Sequence, residues 1–301
     1  MSRRLLGLLI LVSACVREDT SAVQTEPRLI ATVPGFETPE SVRYDPARDV
    51  FYVSNVTGNP QQKDNNGFIS RVRADGAIDS LRFIAGGVRG VTLHSPKGMF
   101  LAGDTLWVAD IDALRAFDVS TGAPLASVDL APDGALFLND VTRAPDGIFY
   151  ISDTRLEFSD SGVRHRGGDR VYRVASDGRV SIAVESDTLG RPNGVFWDQD
   201  GQRLLIAAIG APRIFEFRPS DSTLRLIAQG PGGYDGVESL GGGKFLLSAQ
   251  DDSSVSILEN ATVTKVVGGI ASPGDIGWDP ARRRVFVPLL GANQVQIWQV
   301  P

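Results

Sequence analysis

The chain has 301 residues, 22% of them charged, and a formal net charge of −6 at neutral pH. Its only basic run is residues 282–284, which argues against nucleic acid as a partner. The single cysteine, Cys15, excludes disulfide bonds within the chain. The length is compatible with one large all-β domain, and 33 glycines are typical of a protein with many turns.

The first 14 residues predict a secretory signal peptide. Two arginines precede a short apolar run, residues 5–12, which cannot span a bilayer. Two small residues then lead into Cys15, and this arrangement resembles the bacterial lipobox, in which the cysteine is acylated. The alternative is an ordinary signal with an incidental cysteine. We expect lipidation at Cys15, a polar tether over residues 15–27, and a protein anchored in the bacterial cell envelope, facing the periplasm or the exterior.

Six segments that follow the tether share one pattern. Each has a small or special residue pair, a short apolar strand, a turn and a strongly β-prone strand, and further strand pairs turn on Asp-Gly between them. Equivalent positions in consecutive segments are 39 to 57 residues apart. No helical period is sustained, which excludes a helical solenoid. We therefore predict an all-β fold over residues 28–301: a six-bladed β-propeller with four antiparallel strands per blade. The segments begin at Thr38, Ser95, Phe137, Arg191, Gly233 and Ser272.

The N-terminal strand is predicted to close the propeller. The last repeat supplies only three strands, and residues 28–36 form a strand that belongs to no repeat. An open propeller would leave an exposed strand edge, which invites aggregation. We expect residues 28–36 to fill the outer place in blade six, paired with residues 294–300.

The start of the first strand of each blade should line one end of the central channel, here called the top face. Two long loops, residues 57–68 and 154–169, are predicted to overhang this face and to form a lid or substrate rim. The six equivalent positions at the strand starts, here called the channel ring, are Glu40, Lys97, Asn139, Asn193, Asp235 and Gly274.

Four members of the channel ring carry side-chain oxygens. Two carboxylates and two amide carbonyls suit a hard divalent cation, and we predict calcium, with another divalent cation as an alternative. Zinc is disfavoured because the chain has only two histidines. Asn-Gly and Asp-Gly pairs are also common turn formers, so a purely structural role is the competing interpretation. The predicted ligands are Glu40, Asn139, Asn193 and Asp235.

At these residues the chain resembles the calcium-dependent six-bladed propellers: the gluconolactonase/regucalcin family, the paraoxonases and diisopropyl-fluorophosphatase. The order Glu, Asn, Asn, Asp is similar to the catalytic-calcium ligands of the latter two groups, and residues 138–141 and 192–195 are its most specific pieces. The resemblance spans residues 28–301 and implies hydrolysis of lactones or organophosphorus esters at the calcium. In the gluconolactonase branch the residue matching Asn139 is often assigned to substrate.

The chain departs from the paraoxonases at Lys97, where those enzymes carry a histidine. Lys97 could stabilise an oxyanion, hold an acidic substrate, form a structural ion pair with a channel carboxylate such as Glu40, or replace the metal. His94 is expected outside the channel ring, and His165 reaches it only if its loop folds inward. Asp235 or Glu40 could accept a proton from water, or Asp235 could attack the substrate directly.

A calcium-dependent lactonase or esterase with Asp235 and Lys97 as catalytic residues is the function that the sequence favours. The competing class is a non-catalytic surface lipoprotein that binds a small ligand or scaffolds an assembly, because propellers host many unrelated functions. In either case we expect a small-molecule partner, attachment to a membrane through the lipid anchor, and a monomer.

Replacing Cys15 with serine tests the anchor. Cys15→Ser removes the thiol that acylation requires, and each acyl methylene buried in the membrane contributes about 0.8 kcal/mol. We expect the variant to leave the membrane fraction or to accumulate unprocessed, as read by fractionation and mass spectrometry. Normal processing with continued membrane attachment would contradict lipidation.

Overall fold

The computed structural model describes residues 26–301. The predicted signal peptide, Cys15 and the tether up to residue 25 lie outside the described residues. Among residues 26–301, no helix has both the length and the apolar character needed to cross a membrane.

The described residues form six four-stranded antiparallel sheets and one two-stranded hairpin. Three short 3-10 turns, Ala131–Asp133, Asp187–Leu189 and Leu290–Ala292, are the helical elements of this part of the chain. The strands, in chain order, are β1 (Arg28–Pro34), β2 (Pro39–Asp45), β3 (Val50–Asn55), β4 (Phe68–Arg73), β5 (Ile78–Ala85), β6 (Pro96–Ala102), β7 (Thr105–Asp110), β8 (Ala113–Asp118), β9 (Pro124–Asp129), β10 (Leu138–Arg143), β11 (Phe149–Asp153), β12 (Leu156–Ser159), β13 (Gly162–His165), β14 (Arg170–Val174), β15 (Val180–Glu185), β16 (Pro192–Asp198), β17 (Arg203–Ala208), β18 (Arg213–Arg218), β19 (Thr223–Gln229), β20 (Tyr234–Gly241), β21 (Lys244–Ala249), β22 (Ser254–Glu259), β23 (Thr262–Gly268), β24 (Gly277–Asp279), β25 (Arg284–Leu289) and β26 (Gln294–Gln299).

This arrangement confirms the six-bladed propeller. Blades one, two, four and five each take four consecutive strands, whereas blade three is β10-β11-β14-β15 and carries the hairpin β12-β13 as an insertion. Second strands such as β3 are buried along almost their whole length. Outer strands such as β5 are exposed or half-buried over most of their length. The burial follows from position, because an inner strand has a neighbouring strand on each side and a neighbouring blade on each face.

The N-terminal strand closes the propeller as predicted. β1 pairs antiparallel with β26, from Arg28 opposite Gln299 to Pro34 opposite Gln294. The sheet order of blade six is therefore β1-β26-β25-β24. Val33 and Phe36 are buried in the core shared by blades one and six, so the closing segment contributes apolar contacts as well as hydrogen bonds.

Aromatic side chains fill the wedges between neighbouring blades. Phe51 of β3 stacks on Phe286 of β25, with ring centroids 3.4 Å apart, and joins blade one to blade six. Tyr150 of β11 stacks on Trp197 of β16 at 5.8 Å and joins blade three to blade four. Contacts of this kind fix each blade relative to the next, and so fix the positions of the first strands around the channel.

Shortening the chain from its N-terminus tests the closing strand. Deleting residues 1–34 removes β1 and leaves β26 as an open edge. We expect the free energy of unfolding in urea to fall by about 3 kcal/mol or more, the scale for losing one large buried side chain. Deleting residues 1–25 is the control and should leave stability unchanged. Equal stability of the two truncated proteins would show that β1 does not close the propeller.

Candidate active site

The first strands of five blades carry a β-bulge at the channel-ring position. In β16 the pairing register shifts between Pro192 and Val195, and the two residues skipped are Asn193 and Gly194. The same shift brackets the ring residue in β2, β6, β10 and β20. A bulge redirects the side chain of the unpaired residue, and such bulges are frequent beside active sites. Because Asn193 and Gly194 lie inside a strand, the turn interpretation of this pair is wrong.

Glycines at the bulges allow the first strands to approach one another closely. A Cβ atom on Gly194 would lie 2.1 Å from the Asp235 carbonyl oxygen of the next blade. A Cβ atom on Gly274 would lie 2.3 Å from the Glu40 carbonyl oxygen, so the sixth ring position also needs glycine. The backbone joins blades one and six directly here, since the amide of Asp275 donates to the Glu40 carbonyl at 2.8 Å. Close approach at the axis makes the channel ring narrow.

The channel ring lines a single cavity of about 270 Å³ at the top face. Its five side chains are each at most 6% exposed, although every one of them is polar or charged. The two carboxylates and two amides are therefore brought together as predicted, with the lysine beside them. The five are Glu40, Lys97, Asn139, Asn193 and Asp235.

One oxygen of each predicted ligand is buried and has no hydrogen-bond partner in the protein. Buried polar atoms are nearly always paired, and an unpaired one costs about 1–3 kcal/mol. Four such oxygens at equivalent positions are the donor set that a hard divalent cation takes. Between residues 26 and 301, no group of three His, Cys, Asp or Glu side chains is placed to hold a metal ion. Here two amides would complete a ligand set that has only two carboxylates. The unpaired atoms are Glu40 Oε2, Asn139 Oδ1, Asn193 Oδ1 and Asp235 Oδ1.

Neighbouring residues orient the Asn139 amide and the Asp235 carboxylate. The Thr154 hydroxyl donates to the Pro192 carbonyl at 2.9 Å and accepts from Asn139 Nδ2 at 3.0 Å. Its one proton is used on Pro192, so the Asn139 amide must present its NH₂ to Thr154 and leave Oδ1 free. Gln250 Nε2 donates to Asp235 Oδ2 at 2.5 Å. The hydrogen bonds within the protein thus leave Asn139 Oδ1 and Asp235 Oδ1 without a partner.

Burial and mutual repulsion raise the pKa values of the carboxyl groups of the channel ring. Burial is the main cause that raises the pKa of Glu40 well above its usual range, and Asp235 and Asp275 raise it further. Burial and then Asp275 raise the pKa of Asp235 to about 8. A cation among these groups would favour their charged forms, which Lys97 and the Gln250 hydrogen bond favour only in part.

Lys97 lies at the edge of the cavity and makes no ion pair with any residue between 26 and 301. Its ammonium donates to the Ser95 carbonyl at 3.1 Å and the Pro60 carbonyl at 3.3 Å, and it sits 4.2 Å from the centroid of the Phe137 ring. Burial lowers the pKa of Lys97 to about 8. Lys97 and Glu40 therefore form no direct ion pair in this structure, although the Glu40 charge acts on the Lys97 ammonium.

A charged layer that sequence reasoning missed closes the channel beneath the ring. The Arg43 guanidinium donates to Glu238 and, at 3.1 Å, to Asp275 Oδ2. Asp140 accepts from the amides of Val141 and Val195. These groups separate the candidate site from a second cavity of about 510 Å³ at the opposite end of the channel.

The walls of the cavity come from the ends of the second strands and from the two long loops. Both predicted loops contribute to the wall, through Pro60 in the first and Leu156 and Phe158 in the second. His94 accepts a hydrogen bond from the Asn65 amide, and His165 pairs with Asp169 at 2.5 Å. Neither histidine lines the cavity. The wall residues that directly follow the second strands are Val56, Thr154, Ile209, Gln250 and Leu290.

A protein-family profile described as SMP-30/Gluconolactonase/LRE-like region matches residues 38–237, more than half of the chain. The chain belongs to this family. All the side chains of the channel ring, from Glu40 to Asp235, fall within the matched residues. No curated protein sequence matches the chain.

Solved structures share the fold across nearly the whole propeller. A candidate gluconolactonase is 21% identical with a TM-score of 0.68 and covers 92% of this chain and 93% of its own. A gluconolactonase from Xanthomonas campestris is 18% identical with a TM-score of 0.67, covering 91% and 89%. Virginiamycin B lyase from Staphylococcus aureus is 12% identical with a TM-score of 0.62, covering 92% and 100%. At these identities the likeness establishes the fold alone.

Replacing Asp235 with asparagine tests the metal site by two effects of opposite sign. In chelator, Asp235→Asn removes a buried carboxylate that lies near Glu40 and Asp275, so we expect a higher melting temperature than wild type. Calcium at 100 times its dissociation constant stabilises a folded protein by about 2.7 kcal/mol, and the variant should lose most of this gain.

The matched control for this test is Asp160→Asn, which makes the same chemical change at an exposed position. It should change neither the melting temperature in chelator nor the response to calcium. Differential scanning calorimetry with and without calcium measures both quantities. A wild-type protein whose melting temperature ignores calcium, other divalent cations and chelator would contradict the site.

Proposed function

We propose that this protein is a calcium-dependent hydrolase of lactones or related esters, with its reaction centre at the channel ring. One observation carries the proposal. Four buried oxygens without hydrogen-bond partners, on Glu40, Asn139, Asn193 and Asp235, converge on one cavity at equivalent bulges. Membership of the gluconolactonase-like family supports the reaction class. Another divalent cation that prefers oxygen ligands would serve the same donors.

These four residues would hold the cation, and a bound cation would polarise the carbonyl of a lactone or ester. The protein's part is to hold the donors at fixed positions. The bulges set the backbone, Thr154 sets the amide of Asn139, and Gln250 sets the carboxylate of Asp235. Such pre-organisation removes the cost of ordering the groups when the substrate arrives.

Asp235 is the group that we assign to proton transfer or to attack. Gln250 occupies one of its oxygens, and the other faces the cavity unpaired. As a base, Asp235 takes a proton from the attacking water. As a nucleophile, it displaces the alkoxide oxygen of the substrate, which takes up a proton, and forms a mixed anhydride that water then cleaves at the Asp235 carbonyl. A single turnover in ¹⁸O-water distinguishes the two routes, because only attack by Asp235 leaves the first product molecule with unlabelled oxygen.

Lys97 is the second catalytic residue that we propose. Its ammonium is the cation at the cavity edge, and its contacts to the Ser95 and Pro60 carbonyls fix it there without neutralising it. A fixed positive charge in a cavity from which water is largely excluded stabilises an oxyanion more strongly than it would in water. The alternative role is to hold an acidic substrate.

We also propose that acylation of Cys15 holds the propeller at the membrane of the bacterial cell envelope. The lipobox-like sequence supports this proposal. A small molecule is the partner that the cavity suits, because its volume of about 270 Å³ is at the lower end for ligand sites.

Replacing Lys97 with methionine separates its possible roles. If Lys97 stabilises the transition state, Lys97→Met should lower kcat and kcat/KM together, on the order of 10²–10³-fold. If it holds an acidic substrate, KM should rise while kcat stays nearly constant. Steady-state kinetics per folded molecule, with folding checked by calorimetry, provides the measurement.

Lys244→Met, at a position with its side chain 47% exposed, is the matched control and should keep wild-type kinetics. Unchanged kcat and KM in folded Lys97→Met would assign Lys97 a structural role only. Failure of calcium-loaded wild-type protein to hydrolyse any lactone, aryl ester or phosphotriester would favour the non-catalytic binding propeller.

A further inference from the structure

The candidate active site is mainly apolar above the channel ring. Six aliphatic or aromatic side chains from four blades surround the space into which the free oxygens point. Two of them belong to the blade-three insertion and the others to strand ends and loops of the propeller itself. They are Val56, Phe137, Leu156, Phe158, Ile209 and Leu290.

Most polar side chains in the wall are already engaged with the protein. The Thr154 hydroxyl both donates and accepts within the protein. The Gln250 amide donates to Asp235, and Lys97 donates to backbone carbonyls. Thr38 is the remaining wall residue with a polar side chain. A ligand with several hydroxyl groups would therefore bury most of them without a partner.

The aromatic part of the wall is held in place by one side chain of the other long loop. Gln61 Nε2 donates to the carbonyls of Leu136 and Leu156, each at 3.1 Å, and Gln61 Oε1 accepts from the Phe158 amide at 2.8 Å. Phe158 in turn stacks on Phe137, with ring centroids 5.3 Å apart. The two loops are thus bonded to each other and present a fixed apolar surface above the ring.

We propose that this site takes a small lactone or ester that carries an alkyl or aryl substituent, and that it discriminates against polyhydroxylated sugar lactones. The carbonyl lies at the channel ring, and the substituent lies between Phe137, Phe158 and Ile209. The statement about hydrolysis rests on the proposed function, whereas the statement about binding stands without it. Each buried hydroxyl that finds no partner lowers affinity on the order of tenfold.

The primary test is binding of two lactams, which share the ring and carbonyl of δ-lactones but resist hydrolysis. Isothermal titration of calcium-loaded full-length chain compares a butyl-substituted δ-valerolactam with D-glucono-δ-lactam. We expect the butyl lactam to bind at least on the order of 10²-fold more tightly, because the sugar lactam has several hydroxyls to bury. Equal affinity, or preference for the sugar lactam, would overturn the inference.

Two substitutions in the cavity wall test whether the wall causes the preference for the butyl lactam. Ile209→Asn and Phe158→Asn each add hydrogen-bonding groups to the wall, and each should narrow the affinity ratio by about tenfold. Leu125→Asn, at a position 55% exposed on the outside of blade two, makes a comparable change away from the site and should leave the ratio unchanged. If both variants fold and the affinity ratio of the two lactams stays unchanged, the apolar wall is not the cause of the preference.

Hydrolysis of the two corresponding lactones separates this inference from the proposed function. Faster turnover of the butyl lactone supports both. Faster turnover of glucono-δ-lactone overturns the inference and leaves the hydrolase intact. Tight binding of the butyl lactam with no turnover of either lactone upholds the apolar site and overturns the hydrolase.

Discussion

The close approach of the first strands at the channel axis is the constraint on which the rest of the structure depends. Backbone atoms of one blade lie where a side chain of its neighbour would begin, so Gly194, Gly236 and Gly274 cannot be replaced without moving a blade. Narrow packing at the axis forces the unpaired residue of each bulge to face its counterparts across the channel. Because most of those residues are polar, the same close packing brings polar and charged side chains together in one candidate binding site.

This arrangement concentrates charge where water is scarce. Glu40, Asp140, Asp235 and Asp275 are all at most 6% exposed, and Arg43 is the guanidinium that compensates part of their charge. Burial of carboxylates without enough opposite charge costs free energy that the blade interfaces must supply. Sites that pre-organise ligands for a cation accept this cost when the cation is absent. The stacked contact of Phe51 with Phe286 is one of the interactions that offsets it.

The repeats in the sequence located the blades and the channel ring because side chains at equivalent repeat positions occupy equivalent places around an axis. The closing strand followed from a missing fourth strand in blade six. The wall was also visible in principle: the six repeat segments end at Val56, Ile111, Thr154, Ile209, Gln250 and Leu290, and five of these line the cavity. The apolar character of Val56, Ile209 and Leu290 was used only as strand propensity, so this signal was overlooked.

Other features depend on tertiary contacts that no local pattern encodes. The bulge at Asn193 and Gly194 is a property of pairing with β17, and the pair by itself is equally compatible with a turn. Arg43 meets Glu238 across 195 residues of sequence, and Gln61 meets Phe158 across 97. An ion pair with a channel carboxylate was one of the roles that the sequence left open for Lys97, but its direct contacts are to backbone carbonyls and an aromatic face.

The pairing of β1 with β26 also fixes the direction in which the chain enters the propeller. β2 begins at the top face with Glu40, so alternate strands run down and up, and β26 ends at the lower face. Because β1 is antiparallel to β26, Arg28 lies opposite Gln299 at that lower face. A surface attached through residues preceding Arg28 would therefore lie under the disc. The mouth of the candidate active site would open away from that surface, towards molecules arriving from solution.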